Sequence, residues 1–316
     1  MALIGVLEER YASHEIERAV IESAGHRMLD IEPDKGEWAD WLAEVDGLLV
    51  NLTPIGREEL ERLPRLKAIS RYGVGVDAID LSEASAHGVA VLNQPAIMVA
   101  EVSDHTIALW LACMRQIVPR DAAVRRGEWN IRTPAPTRRL QGGVFGMIGF
   151  GRVGRAVAVR LKVFSPERIL VYDPYVDDQE ILDAGCVPVA FDQLIAESGT
   201  ISLHAPLTDE TRDMINGETI ARMKRGACLL NTSRGGLVDE DAVVHALEDG
   251  QLHSVGFDVF PEEPPASSRL LRHPGAVFTD HCAWYSVQSQ VDLQRAAAEA
   301  IVAYLDGNRD MSIVNA

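Results

Sequence analysis

Cysteine is scarce. Cys113, Cys186, Cys228 and Cys282 are the four in 316 residues, and they form no CxxC and share no regular spacing. A disulfide framework and a metal site readable from ligand spacing are both excluded, which leaves buried free thiols in a reducing compartment as the expectation. Long apolar runs are also lacking. The most apolar helical stretch, 108–114, is bracketed by Asp104 and Arg115, too short a run to span a bilayer. Residues 1–9 lack the basic region and the length of a signal peptide and read as a first strand, so a cytoplasmic protein is expected. Repeats and low-complexity tracts are absent. Positive charge is in deficit: 30 Lys and Arg stand against 47 Asp and Glu, a net −17. That field argues against nucleic acid and anionic membrane as partners. An anionic substrate would have to be met by arginines placed locally.

What is there is a chain with 47% hydrophobic residues, enough for a sizeable core in about two domains. It is organised around Gly149, Gly151 and Gly154, a GxGxxG. Val144, Phe145, Met147 and Ile148 precede the motif and read as a buried strand. A helical pattern over 153–164 follows, then a second apolar run, 169–172, that ends at Asp173, 19 residues after Gly154. Strand, glycine turn, helix and distal acid in this register are what a dinucleotide site needs. The first glycine makes the tight turn, the second lets backbone approach a pyrophosphate, and the third lets helix and strand pack closely. The helix N-terminus faces the anion. Asp173 would accept the ribose hydroxyls and repel a 2′-phosphate, so NAD is expected rather than NADP.

The flanking chain alternates strand and helix, the pattern of an α/β protein with parallel sheets. Strands are expected over 3–7, 27–31, 46–51, 67–71 and 89–92, and helices over 15–24, 38–45, 57–63 and 81–87. The turn of Gly73, Val74 and Gly75 follows a strand but lacks a third glycine and a distal acid, so its backbone N–H groups are expected to hold a smaller anion. A single long helix is expected over 101–126, then an irregular basic stretch over 129–139. Further strands are read at 200–204, 227–231, 254–259 and 277–279, and helices at 215–223, 239–249 and 286–305. The apolar residues Ile107, Leu109, Trp110, Leu111, Met114, Ile117 and Val118 form too broad a stripe for one helix face, so part of it is expected to pack on a second subunit, giving a homodimer.

Chemistry in an open α/β sheet collects at the carboxyl ends of strands. Asp173, His204, Arg234, Asp258 and His281 all stand just past expected strand ends. His204 is read as lining the cofactor through its backbone, and His105 as structural. His281 and Cys282 are adjacent and no second pair has ligand spacing, so no metal is expected.

Three stretches, 231–240 with Ser233, Arg234, Gly235 and Gly236, 257–264 with Asp258, Glu262, Glu263 and Pro264, and 279–286 with His281, Trp284 and Tyr285, join the glycine motif in an order that resembles the D-isomer-specific 2-hydroxyacid dehydrogenases. The run Ala283, Trp284, Tyr285, Ser286 and Arg71 ahead of the first glycine turn look most like the branch that includes the C-terminal-binding-protein corepressors. The resemblance implies two Rossmann-like domains with a cleft between them: a flavodoxin-like substrate domain over 1–98 plus 282–316, and an NAD-binding domain over 99–281. It implies an NAD-dependent oxidoreductase that moves a hydride between the cofactor and a small anionic 2-keto or 2-hydroxy acid.

Within that resemblance Arg234 takes the substrate carboxylate and keto oxygen through a permanently charged fork. His281 is the proton donor, and Glu263, the acid directly before the proline, favours its charged form. Cofactor contacts fall to Gly149, Gly151, Arg152, Val153, Gly154, Asp173, His204, Ala205, Pro206, Thr211, Thr232, Ser233, Arg234, Asp258 and His281, with Asp258 on the carboxamide. Substrate contacts fall to Arg71, Val74, Gly75, Arg234 and Trp284. The sequence departs from the family pattern at Asp280, where proline is usual, and at Cys282, where an aliphatic residue or alanine is usual. Neither the appended regulatory domain of some phosphoglycerate dehydrogenases nor the long tails of the corepressors is expected. Two other readings use the same residues: an NAD(H)-sensing binding protein, and a same-fold dehydrogenase acting on another small anion.

Overall fold

The structure is a computed structural model that describes residues 1–8, 11–30, 40–131 and 137–316. The chain divides into two compact units, Met1–Met98 with Tyr285–Ala316, and Val99–Trp284.

In the first unit the described residues form a five-stranded sheet from β1 (Leu3–Leu7), β2 (Arg27–Asp30), β3 (Gly47–Val50), β4 (Ala68–Arg71) and β5 (Ala90–Leu92), in the order β2-β1-β3-β4-β5. Every pairing is parallel. This is the flavodoxin-like order. The inner strand β3 is buried throughout, as a parallel strand covered on both faces must be, whereas β2 is a half-exposed edge. Helix Val287–Leu305 returns to this unit. Ser70 donates its hydroxyl to the Ala297 carbonyl at 2.9 Å, and a Cβ on Gly47 would come within 2.8 Å of Ile301 Cδ1, so glycine lets strand and helix touch. Ile31 and residues 38 and 39, parts of an expected strand and helix, lie outside the described residues, and Asp40–Glu44 forms a 3-10 turn.

The second unit holds seven strands among the described residues: β6 (Val144–Ile148), β7 (Arg168–Tyr172), β8 (Val187–Pro188), β9 (Thr200–Leu203), β10 (Ala227–Asn231), β11 (Leu252–Phe257) and β12 (Ala276–Phe278). Their order is β12-β11-β10-β9-β6-β7-β8, all parallel. The chain order reverses between β6 and β9, the switch point at which ligands bind in doubly wound sheets. Successive strand residues feed opposite layers. Leu229 joins a core with Leu170, Leu194, Ile201 and Val243, and Leu230 joins one with Trp110, Phe145, Met147 and Val157.

Two expectations need correction. The long helix is two, Val99–Arg115 and Ile117–Arg125, with Gln116 left-handed at φ 53°. Pro119 is the cause: it has no N–H for the Arg115 carbonyl, and its ring crowds that oxygen. Ile107, Leu109, Trp110 and Met114 are buried in this unit's own core, while Ile117 and Val118 remain exposed. The helix expected over 215–223 covers only Gly217–Ala221, because Asn216 caps it by accepting the Thr219 N–H and Ile215 bridges to Val238. No helix among the described residues is long and apolar enough to cross a membrane.

Candidate active site

The glycine turn joins β6 to helix Arg152–Leu161, and each glycine has its own steric reason. Gly149 sits at φ 95°, and a Cβ there would lie 2.6 Å from the His204 carbonyl carbon. A Cβ on Gly154 would meet the Gly149 oxygen at 2.6 Å, so only glycine lets the helix start this close to the turn. Gly151 is different. A Cβ there would meet nothing within 4 Å, so the turn's backbone is open on that side, next to the unpaired N–H groups of a helix start. Arg152 and Val153 open that helix. The arrangement fits a dinucleotide pyrophosphate. Asp173, directly after β7, accepts the Phe150 N–H at 2.7 Å through one oxygen and the Tyr175 N–H at 2.9 Å through the other. The acid read as a ribose acceptor thus also ties the glycine turn to the end of β7.

His204 follows β9 and is partly exposed, with Nε2 3.0 Å from Ser202 Oγ and a buried Nδ1 that has no partner among the described residues. Burial pulls its pKa down to about 4. The loop after it is closed by Thr211, whose hydroxyl donates to the Pro206 carbonyl at 2.7 Å and accepts the Thr208 N–H at 2.8 Å. Ala205 and Pro206 therefore present backbone rather than side-chain chemistry.

At the end of β10 the turn of Thr232, Ser233 and Arg234 is held from beneath by Asn231, a fully buried side chain. Asn231 Nδ2 donates to the Arg234 carbonyl at 2.8 Å, and its oxygen accepts the Ser233 N–H at 3.0 Å. The Ser233 hydroxyl donates to the Leu203 carbonyl, and the Thr232 and Thr106 hydroxyls meet at 2.9 Å. Arg234 Nη1 donates to the Ser233 carbonyl at 2.7 Å. Sequence reading missed Asn231, although a polar residue closing a buried apolar strand is a legible signal.

Asp258 follows β11 and is 1% exposed. It receives three consecutive N–H groups: His281 at its carbonyl (2.8 Å), and Cys282 and Ala283 at its carboxylate (2.9 and 3.0 Å). The Thr279 hydroxyl adds a fourth donor at 2.6 Å. These bonds fix the turn after β12 and hold His281 at φ 55°, a region few non-glycine residues occupy. The residue read as a carboxamide anchor is thus also the clamp on the His281 turn. His281 Nδ1 lies 2.7 Å from Glu263 Oε2, while Oε1 accepts the Phe260 N–H at 3.0 Å. Partial burial alone would raise the Glu263 carboxyl, but His281, the Phe260 N–H and the Arg234 charge together hold it below the usual range. Glu263 and His281 are therefore in contact, with Arg234 near enough for its charge to act on Glu263, and His281 Nε2 has no partner among the described residues.

In the first unit the Arg71 guanidinium folds over Gly73, where a Cβ would lie 1.7 Å from Nη1. The N–H groups of Val74 and Gly75 enter no hydrogen bond among the described residues. Below them the Tyr72 hydroxyl donates to the buried Glu17 carboxylate at 2.9 Å. Trp284 is half-buried at the last position of the second unit. One grouping had no linear signal: ligand-type atoms of His105, Asp258 and Cys282 lie within 4.8 Å of one another.

Residues 107–283 match the family described as D-isomer specific 2-hydroxyacid dehydrogenase, NAD binding domain. A glyoxylate reductase of Korarchaeum cryptofilum is 36% identical over 310 residues, covering 95% of this chain and 93% of the relative. A D-3-phosphoglycerate dehydrogenase of Bacillus subtilis is 34% identical over 286 residues, covering 90% of this chain and 54% of the relative. The chain spans about half the length of the phosphoglycerate dehydrogenases it matches. Among solved structures, a D-lactate dehydrogenase of Aquifex aeolicus complexed with NAD and lactic acid superposes with a TM-score of 0.87 at 27% identity, covering 96% of each chain. The parallel order of both sheets, the glycine turn and this similarity along the chain agree: the protein belongs to the D-isomer specific 2-hydroxyacid dehydrogenase family.

Proposed function

We propose that the protein is an NAD-dependent reductase of small 2-keto acids, yielding D-2-hydroxy acids, and that the same site runs the reverse oxidation. The observation that carries this reading is the 2.7 Å bond between His281 and Glu263, formed where the Arg234 charge also acts. Bound NAD(H) would supply or accept the hydride. Arg234 offers the substrate carboxylate and carbonyl oxygen a charged fork. With Nδ1 engaged by an ionised carboxylate, Nε2 is the ring atom left to carry a proton to the carbonyl oxygen, and Glu263 stabilises the ring when it is charged. Gly149, Gly151, Gly154, Arg152 and Val153 are assigned to the pyrophosphate and Asp173 to the ribose. The backbone at Ala205 and Pro206, closed by Thr211, and the turn of Thr232 and Ser233 are assigned to the cofactor's nicotinamide half. For the first unit the reading is an anion-binding loop at Val74 and Gly75 beside Arg71.

The experiment is NADH oxidation screened against glyoxylate, hydroxypyruvate, pyruvate and bulkier 2-keto acids, with His281→Gln as control. Turnover of one or more substrates that His281→Gln abolishes, with NADH binding kept, supports the reading. No turnover of any, or equal turnover by the variant, overturns it.

We infer that the protein works as a homodimer in the cytoplasm. Ile117, Val118, Val124, Trp129 and Ile131 form an exposed apolar series on and after helix Ile117–Arg125, larger than scattered surface apolars require. The four cysteines are all unpaired, in keeping with a reducing compartment. Light scattering at micromolar concentration should give twice the chain mass; a monomer removes the assembly.

A further inference from the structure

We propose that His105, Asp258 and Cys282 form a binding site for a soft divalent cation such as Zn²⁺ or Cd²⁺, and that occupation of this site inhibits the enzyme. Three elements far apart in sequence supply the ligands: helix Val99–Arg115, the end of β11 and the turn after β12. His105 Nε2 lies 3.7 Å from Asp258 Oδ1, and one ring nitrogen of His105, one carboxylate oxygen of Asp258 and Cys282 Sγ all fall within 4.8 Å of one another. In a tetrahedral zinc site such ligand atoms stand about 3.5 Å apart, so closing the set needs side-chain movement of about 1 Å. Imidazole nitrogen, carboxylate oxygen and thiolate sulfur are the donor types zinc and cadmium prefer.

The fourth position has a candidate as well. Asp280 is exposed, and its carboxylate lies close enough to the Cys282 thiol to raise the thiol's pKa. Asp280 and Cys282 are the two positions at which this turn departs from the usual family pattern, and both meet at this cluster. The protein's net charge of −17 favours cations generally.

The free thiol is a poor nucleophile. Burial, with the Asp280 and Asp258 carboxylates, pushes Cys282 up to about 11. It therefore stays protonated at neutral pH, and a metal ion must displace that proton to solvent as the metal–sulfur bond forms. Neither sulfur nor metal changes oxidation state. Inhibition follows from what Asp258 Oδ1 already holds, namely the Thr279 hydroxyl and the Cys282 N–H. A metal ion on that oxygen competes with both, which loosens the turn that fixes His281. This inhibitory part rests on the proposed role of His281; the binding part does not.

The test uses the full chain with cadmium chloride and zinc chloride, and Cys282→Ala as the variant. Alanine is usual here, and Cys282 lies outside the catalytic groups, so basal turnover should be unchanged. The expected result is an ultraviolet thiolate-to-cadmium band saturating at one Cd²⁺ per chain and missing from Cys282→Ala. The other three thiols, buried at 1–2% exposure, leave Cys282 as the accessible one. Zinc should inhibit NADH-dependent turnover reversibly with EDTA, and inhibition should weaken about a hundredfold in the variant, as loss of a ligand costs at least what loss of its outer partner does. Absence of the band, or an equal band in Cys282→Ala, overturns the site. A Cys282-dependent band with zinc inhibition unchanged in the variant overturns the inhibitory role alone.

Discussion

Gly235 presses against Phe260 so closely that a Cβ on the glycine would fall 1.9 Å from the Phe260 carbonyl carbon and 2.2 Å from its oxygen. This contact joins the turn that carries Arg234 to the segment that carries Glu263. Both sides are backbone, so neither yields by rotating a side chain. Gly235→Ala must push residues 260–263 aside, and Glu263 moves with them because Phe260 N–H holds its carboxylate. We expect kcat for the best 2-keto acid to fall about a hundredfold, the cost of a displacement near 1 Å at a catalytic group. Steady-state kinetics beside fluorescence titration of NADH checks this; unchanged kcat would mean the segment moves without consequence.

Glu263→Gln keeps the volume and removes the charge. The amide can still meet His281 Nδ1, but it no longer stabilises a charged ring. The expected result is kcat lower by about 10- to 100-fold, within the usual contribution of general acid–base catalysis, with NADH affinity unchanged. Glu263 is held below its ordinary 4.5, so it is ionised throughout the neutral range and its charge is there to be lost at any neutral assay pH. A variant with unchanged kcat would assign the carboxylate another role.

Asn231→Ala removes the side chain that closes the Arg234 turn at both ends. It leaves the Ser233 N–H and the Arg234 carbonyl without their partner, a loss of about 1–3 kcal/mol where such groups are buried. Chemical denaturation should report that loss. The keto-acid KM should rise while the NADH KM moves little, because it is the placement of Arg234 that is disturbed. A stability loss with both KM values unchanged would make Asn231 structural only.

The groups in these predictions differ in how visible they were in the sequence. Gly149, Gly151, Gly154 and Asp173 are legible because one turn of chain must satisfy several steric demands at fixed spacing. Arg234, Glu263 and His281 are legible as motif positions, and the strands that deliver them are short apolar runs ended by polar residues. The helix break at Gln116 was signalled by Pro119 yet overridden by the apolar periodicity on both sides. Helices Asp178–Asp183 and Phe191–Glu197 are short and polar enough to lack a clear period. The Gly235–Phe260 contact, the Asp258 clamp and the His105–Asp258–Cys282 cluster have no local signature. They arise from packing between residues 21 to 177 positions apart, which only the folded chain sets.

His204 gives a pH signature unrelated to turnover. The unfolded chain protonates this ring near 6.5 and the folded protein only near 4. Between those values folding must expel a proton, so stability is full above 6.5 and is lost as pH falls toward 4, by about 3 kcal/mol. His204→Gln should flatten the pH dependence of unfolding free energy across that interval relative to the parent protein. Equal slopes in both proteins would show that another group carries the titration.

Asp173 holds two duties that one substitution separates. Its charge is the proposed barrier to a 2′-phosphate, while its two oxygens hold Phe150 N–H and Tyr175 N–H. Asp173→Asn keeps one acceptor oxygen and loses the charge, so the preference for NADH over NADPH should narrow with the glycine turn largely kept. Asp173→Ala loses the charge and both acceptors. It should narrow the preference to a similar degree but also raise the KM for both cofactors, because the turn at Gly149 is no longer tied to β7. If the two variants raise the KM alike, the hydrogen bond to Phe150 contributes nothing to cofactor binding. If neither narrows the preference, discrimination against the 2′-phosphate resides elsewhere in the loop after β7.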